Sequence, residues 1–504
     1  MKILLELRPA LDGFSGIPQE TRLLFRGLRL IDSIEVEGLI QHGGKIITQG
    51  ISNKKGFLQK ELSHQDKINR LSRLVISFQE KSNTTPFDKI VKYISKIILI
   101  ARLICMIHLG LGLRLGVFES ALFKDFVWQS WFSKTLPVSD FDLVCKANFR
   151  VIKTPTSLLH QVGLQYRSLL GHAKYIYIDT SAFDIMISQT PFPGRVAKGT
   201  KLVIRYHDAI PILMPHTIKD KSIHQASHFY ALQSNVKDGA YFACVSEASR
   251  QDLISIFPEV KEKTLVLHNI VSHHYFEEES PRNRVREIIR SRVYSGNEID
   301  IKLFSSRQRE ILYRQNTVNL ELSDFRYLLI VSSIEPRKNH LRLLSAWEIL
   351  KAYVYPNLKL VIVGELGWNY VQTLSTFLPW MERGELFFLN AVPAYDLRVL
   401  YKHAEATVCP SLAEGFDFSG VEAMRSGGAV VASDITVHRE IYENASEYFN
   451  PYSTEEAVNA IRLVIESGQE EYRQDLIRRG VEVSKRYMPD VILPKWKTFL
   501  NSLE

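Results

Sequence analysis

The C-terminal half of the chain repeats one pattern, and that pattern leaves few folds open. Short apolar runs recur at 327–331, 358–363, 386–389, 406–409 and 429–432. They lack the apolar–polar alternation of a strand with one wet face, so they read as strands buried on both faces. Helical patterns fill the intervals. From Leu341 to Tyr353, for example, Leu344, Trp347 and Leu350 fall on one side. Strand and helix in short alternation make a parallel sheet covered on both faces. The N-terminal half reads the same way, with expected strands at 3–7, 141–145, 175–178, 183–187, 201–205, 241–245 and 264–267. A chain of 504 residues has room for two such units. In doubly wound sheets ligands bind beyond the carboxyl ends of the strands, so two facing halves imply a cleft.

Two stretches break the rhythm. Residues 44–138 read as an insertion in the first lobe, and 277–323 as a charged, arginine-rich linker. The expected organisation is therefore a first lobe at 1–276, the linker, a second lobe at 324–485, and a last helix at 486–504 packing back on the first lobe. Inside the insertion lies the apolar run 97–113, interrupted by Arg102 and His108, with Lys89, Lys92, Lys96 and Arg114 around it. It suits a lobe-packing helix pair, a helix lying in a membrane plane, or a span at the short limit of length.

The formal charge of +8 favours anionic partners. No zinc-knuckle spacing, RNP-like aromatic run or continuous basic helix is present, which argues against nucleic acid. Cys105, Cys145, Cys244 and Cys409 form no CxxC pair and sit in apolar runs, as buried reduced thiols of a cytoplasmic protein do. The first residues, MKILLELRPALDG, read as a core strand and loop rather than a signal peptide. Asp140-Phe-Asp142 has the letters of a metal-binding DxD. It falls at the start of an apolar run instead of after one, so no metal site is expected there.

Chemistry-bearing residues gather where strands of the second half end. After 327–331 comes Ser332-Ser-Ile-Glu-Pro-Arg337-Lys338-Asn339-His340. After 406–409 comes Pro410-Ser-Leu-Ala-Glu414-Gly415-Phe416-Asp417-Phe418-Ser419-Gly420-Val421-Glu422. Two cations beside a helix start suit a diphosphate, because a helix N-terminus offers free N–H groups and partial positive charge. Two carboxylates nearby suit sugar hydroxyls. The set describes a nucleotide-sugar site.

These segments resemble the retaining glycosyltransferases of family 4. The resemblance rests on Glu414-Gly-Phe followed by Glu422-Ala-Met424, on Ile334-Glu-Pro-Arg-Lys-Asn339, on Val363-Gly364-Glu-Leu-Gly-Trp368 and on His438-Arg-Glu440. Weaker landmarks are Tyr206-His207-Asp208, Val245-Ser-Glu247 and His268-Asn-Ile-Val271. The resemblance implies the GT-B fold: two Rossmann-like doubly wound α/β domains facing an interlobe cleft, here with a helical insertion in the N-terminal lobe. It implies Glu414 and His207 as catalytic residues. It implies a donor-binding set of Lys338, Arg337, Glu422, Gly415, Phe416, Gly364 and Ser419, with Gly13, Gly16 and Asp208 on the acceptor or first-loop side. It implies a nucleoside diphosphate sugar as co-substrate, no further cofactor and no metal.

The expected activity is transfer of a hexosyl unit, with GDP-mannose favoured, to a glycan or polyprenyl-diphosphate-linked acceptor in cell-surface polysaccharide or lipopolysaccharide synthesis. The expected location is the cytoplasm, at the inner face of an anionic membrane. An epimerase of the same fold and a non-catalytic assembly subunit are the alternatives. Two departures from the family pattern matter. Asp417-Phe418-Ser419 stands where many members carry Gly-Leu-Pro. Ser333 stands where many carry an arginine. Ser419, three residues before Glu422, also has capping-box spacing, which would turn Glu422 onto the helix start.

Overall fold

The computed structural model describes residues 1–14, 16–51, 62–79, 86–294, 304–315, 317, 320 and 325–503. In chain order its strands are β1 (Lys2–Glu6), β2 (Glu35–Ile40), β3 (Gly112–Arg114), β4 (Gly116–Phe118), β5 (Phe149–Val151), β6 (Tyr177–Asp179), β7 (Ile185–Ser188), β8 (Lys201–Tyr206), β9 (Tyr241–Cys244) and β10 (Thr264–Val266) in the first lobe. In the second lobe they are β11 (Arg326–Val331), β12 (Leu358–Val363), β13 (Leu386–Leu389), β14 (Ala406–Cys409), β15 (Val430–Ser433) and β16 (Glu447–Phe449).

The first lobe is an eight-stranded sheet in the order β10-β9-β8-β7-β1-β2-β5-β4. Its pairings are parallel except β4 against β5. The second lobe is a six-stranded parallel sheet, β13-β12-β11-β14-β15-β16. Strand order reverses between β1 and β7 in one lobe and between β11 and β14 in the other. Loops leaving neighbouring strands diverge at such a point and open a crevice. The second crevice thus lies between the loop after β11, which holds Arg337 and Lys338, and the loop after β14, which holds Glu414.

The expected strand at 141–145 is instead a short helix, Phe141–Cys145. Val144 and Cys145 are buried while Asp142 is exposed. Five apolar-rich residues are too few for periodicity to choose between helix and strand. Cys105 is exposed on its helix, whereas Cys145, Cys244 and Cys409 are buried.

In the insertion, helices His64–Gln79 and Pro86–His108 precede β3, which pairs with β6 in a separate small sheet. The longer helix divides into two parts. Ile100, Leu103 and Ile107 pack on Leu158, Leu159, Val162 and Tyr166 of the helix Thr156–Leu170. Ile90, Val91, Tyr93, Ile94, Ile97 and Ile98 are each 45–66% exposed. The side chains of Lys89 and Lys92 lie outside the described residues. Among the described residues no helix is long and apolar enough to cross a membrane.

Of the 277–323 segment, the described parts fold onto the second lobe. The helix Asn283–Arg292 buries Val285, Ile288 and Ile289 in that lobe's core. The helix Ser306–Tyr313 starts with a capping box between Ser305 and Gln308. The last helix, Pro489–Asn501, puts Ile492, Trp496, Phe499 and Leu500 into the first lobe's core. The chain therefore passes between the lobes twice. The two passages are joined where Val271 N donates to Tyr487 O at 2.8 Å.

Candidate functional site

The loop after β11 is rigid for a local reason. Pro336–Lys338 is a single 3-10 turn, followed by Asn339 at φ +57°. Asparagine tolerates the left-handed region better than most residues. Its Nδ2 also donates to Pro410 O (3.0 Å) and Pro451 O (2.9 Å), tying the turn to the loop after β14. Arg337 and Lys338 thus stand on the turn before the helix His340–Tyr353, not inside its first turn.

Both cations close on Glu414. Arg337 Nη1 donates to Oε2 at 2.6 Å and Lys338 Nζ donates to Oε1. Arg337 Nη2 lies 2.8 Å from Oε1 of Glu335, a carboxylate 3% exposed that the sequence reading did not single out. Burial would raise the Glu414 pKa, but Arg337 and Lys338 outweigh it and hold the carboxyl below its ordinary value. For Glu335 burial wins and the pKa goes up.

This cluster meets the first lobe directly. A Cβ on Gly415 would sit 1.8 Å from the carbonyl oxygen of His207, so only glycine allows the approach. Ser249 Oγ donates to that same carbonyl at 2.9 Å. Asp208, next in the chain, receives Ile210 N at 3.0 Å and lies in the field of Arg337 and Glu414. Burial raises its pKa despite Arg337. The His207 ring is pushed down to about 3 by burial and then by Arg205, and is neutral near pH 7. Its Nε2 is buried without a partner.

Glu422 belongs to a second group. It lines a cavity of about 650 Å³ between the lobes, together with Ser332, Ser333, Gly364, Glu365 and Tyr395 of the second lobe and Phe14, Gln19 and Lys134 of the first. Gln19 Nε2 donates to Glu422 Oε1 at 2.8 Å, and Tyr401 OH lies 3.3 Å from Oε2. Burial raises the Glu422 pKa to about 7 against these bonds and that of Tyr275. Gly364 is needed here, since a Cβ would fall 2.0 Å from Ser332 O.

The capping-box alternative for Glu422 is not what forms. Asp417 caps the helix Phe418–Arg425: its Oδ1 accepts from Ser419 N (3.0 Å) and Ser419 Oγ (2.6 Å). Burial opposes its ionisation, yet His438, Lys338 and Ser419 hold it well below the carboxylate range. Ser419 is committed to that cap, and its Oγ lies 3.6 Å from Cys409 Sγ. The Phe416 ring stacks edge-on to Phe418 (5.1 Å) and Tyr487 (5.3 Å) within the second core. Neither side chain lines the cavity.

In the first loop a Cβ on Gly13 would lie 3.1 Å from Glu365 Oε2, so this glycine faces the second lobe. Gly16, at φ +69°, starts the helix Ile17–Leu28. The loop is held by Arg22, unmarked in the sequence reading, whose Nη2 donates to Ala10 O, Asp12 O and Gly13 O at 2.7–2.9 Å. Further out, Glu440 of the second lobe accepts from Glu247 N (2.6 Å) and Ala248 N (2.9 Å), at the N-terminus of the first-lobe helix Glu247–Ile256. Asp140 is paired with Arg26, and Asp142 with Lys124 and Lys146. Among the described residues no group of three or more histidine, cysteine, aspartate or glutamate side chains is placed to hold a metal ion.

Two parallel-sheet lobes, with their strand-order reversals turned toward a shared cleft, define the GT-B glycosyltransferase fold. Residues 314–483, most of the second lobe, match the family model described as "Glycosyl transferases group 1". The chain is 30% identical over 162 residues to O-antigen chain mannosyltransferase B of Escherichia coli, covering 32% of this chain and 42% of that protein. It is 26% identical over 225 residues to O-antigen chain mannosyltransferase RfbU of Salmonella typhimurium, covering 41% and 62%. Less than two thirds of either relative's length is matched. Among solved structures it is similar to sucrose-phosphate synthase from Thermosynechococcus elongatus (TM-score 0.56, 12% identity, 100% and 98% of the two chains covered). It is also similar to Anabaena HepE in complex with UDP-glucose (TM-score 0.54, 15% identity, 100% of each chain covered). At those identities the likeness is one of fold.

Proposed function

We propose that the protein is a retaining glycosyltransferase that moves a hexosyl unit, with mannosyl favoured, from a nucleoside diphosphate sugar to a glycan or lipid-linked oligosaccharide acceptor in cell-surface polysaccharide synthesis. One observation carries the reading: Glu414 is held between Arg337 and Lys338 at the second lobe's strand-order reversal, and the adjoining Gly415 lies directly against the His207 carbonyl of the facing lobe. The mannosyl preference is supported by the O-antigen mannosyltransferases to which parts of the chain are similar.

In this reading Lys338 and Arg337 turn from Glu414 to the donor diphosphate and stabilise the charge it gains as it leaves. Glu414 then meets the hydroxyls of the transferred sugar. Glu422 accepts from the ribose, and the cavity of about 650 Å³ holds the nucleoside. The new bond joins the acceptor oxygen to C1 on the face the phosphate leaves, and the acceptor's proton passes to the departing phosphate oxygen. The neutral imidazole of His207 offers a lone pair beside that exchange.

The exposed apolar half of the helix Pro86–His108, with Lys96 and Arg102 on the same helix and a net charge of +8, supports docking on an anionic membrane surface. Thermal-shift screening against GDP, UDP and their sugars, followed by assay of nucleoside diphosphate release, tests the activity. Stabilisation by none of them would sink it. Flotation with anionic liposomes, with and without residues 85–120, tests the membrane component. Equal failure of both forms to float would remove it.

A further inference from the structure

The first lobe has another cavity, at the end of its sheet away from the cleft. It holds about 590 Å³ and is lined where strands begin: Tyr177 opens β6, Lys201 opens β8, Tyr241 opens β9, and Lys263 immediately precedes β10. Strands β8, β9 and β10 are neighbours in the sheet, and the pairing of Thr264 with Phe242 sets Lys263 beside Tyr241. The loop between β7 and β8 adds Arg195 and Lys198 to the wall. The six steps along β8 from Lys201 to His207 span about 20 Å, so this cavity is separate from the interlobe cleft.

Charge sets the cavity apart. Four of its lining residues are cations, Arg195, Lys198, Lys201 and Lys263, and one is an acid, Asp238, which leaves a net charge of +3. Asp238 is already held by Arg195, whose Nε lies 3.2 Å from both carboxylate oxygens and whose Nη2 lies 3.1 Å from one of them. That pair leaves Nη1 outside it. Lys263 Nζ donates to Gly239 O at 3.2 Å and lies 5.7 Å from the centre of the Tyr241 ring, contacts that place it without neutralising it. Among the described residues neither Lys198 nor Lys201 pairs with a carboxylate. The helix Lys221–Lys237 ends here, but its last turn already sets Lys237 against the partial negative charge of its C-terminus. Like charges gathered on one wall repel one another, and a multivalent anion relieves that repulsion. A single carboxylate would leave most of the charge unmet. Two linked phosphates carry about three negative charges near pH 7. Their oxygens suit both lysine ammonium groups and the arginine fork.

We propose that this cavity is a second anion site, built for a diphosphate group and remote from the cleft. The proposal stands independently of the transferase reading. The diphosphate belongs either to a small soluble molecule or to a lipid headgroup, and Arg195, Lys198, Lys201 and Lys263 meet the same chemistry in both.

The test uses the full chain saturated with GDP or UDP, so that any diphosphate position in the cleft is filled. Pyrophosphate is titrated by calorimetry, with inorganic phosphate and acetate beside it. Pyrophosphate is expected to bind once per chain, at least tenfold more tightly than phosphate or acetate, with an affinity that falls as salt rises. Lys198 and Lys201 are exposed, so a variant combining Lys198→Ala and Lys201→Ala should keep the wild-type Tm. It should bind pyrophosphate at least tenfold more weakly, with nucleotide affinity within twofold. Phosphatidylcholine vesicles with and without a polyprenyl diphosphate then separate the sources. Diphosphate-dependent co-sedimentation that is lost in the double variant assigns the headgroup, and co-sedimentation equal in the two proteins assigns a soluble diphosphate compound. No pyrophosphate binding to the nucleotide-saturated chain, binding no tighter than that of phosphate, or undiminished affinity in the double variant would each overturn the proposal. Failure to bind either nucleotide would bear on the transferase reading alone, and the same titration of the free chain would still decide the site through the double variant.

Discussion

Replacing Glu422 with glutamine tests the cavity on a property that most core substitutions lack, a stability effect that grows with pH. The carboxyl is 4% exposed and moves from its ordinary 4.5 to about 7, chiefly through burial. That difference corresponds to about 3 kcal/mol between its protonated and ionised forms. Because the folded-state pKa is the higher one, the associated stability is complete below about pH 4.5 and is lost as pH rises through about 7. Glutamine keeps an oxygen for Gln19 Nε2 and cannot ionise, so Glu422→Gln should escape the loss. Melting curves of the two proteins from pH 5 to 8.5 should diverge, the variant gaining several degrees on the wild type by pH 8. Nucleotide binding should behave in the opposite sense. Ribose hydroxyls favour the anion, so wild-type affinity for GDP or UDP should rise between pH 6 and 8, while that of the variant stays low and flat. Parallel melting curves across this range would refute the assignment of a raised pKa to Glu422.

Glu414→Gln should reduce transfer at least a thousandfold in a donor-turnover assay, and both Glu414→Gln and Glu414→Ala should destabilise the protein by about 3 kcal/mol, because each strands two cations that are now paired with a buried carboxylate. Gly415→Ala, whose Cβ would lie 1.8 Å from His207 O, should lower both Tm and kcat, and an unaltered kcat would show that the loop yields freely. Glu440→Ala removes a cap supplied across the cleft to the helix Glu247–Ile256; a loss of about 1 kcal/mol and a larger radius of gyration by small-angle scattering are expected.

Much of the second lobe could be read directly. The expected strands 358–363, 386–389 and 406–409 coincide with β12, β13 and β14, because continuous β-branched and apolar runs buried on both faces leave little ambiguity. In the first lobe β2 escaped notice. Its Glu35-Val-Glu37 start reads as polar, yet Glu37 is 1% exposed and pairs with Arg150 at 2.5 Å. A long-range ion pair of that kind leaves no local trace. The site divides in the same way. Lys338, Arg337 and Glu414 were visible together because two strand-end loops carry them. Gln19 and Tyr401 were not, since each acquires its partner only when separate segments meet. Phe416 and Ser419 stood inside a legible motif, but their side chains serve the second core and the helix cap.

The double passage of the chain between the lobes has a mechanical consequence. A single connecting strand would let one lobe swivel freely about the other. Here the two connections lie side by side and are bonded at Val271 and Tyr487, so they act as a strap with width. Twisting would tear that bond, while bending across the strap leaves it whole. A jaw-like opening is therefore the interlobe motion that this bond opposes least. Because the last helix, Pro489–Asn501, anchors one side of the strap in the first lobe's core, removing the final turns of the chain would loosen the jaw far from the bite.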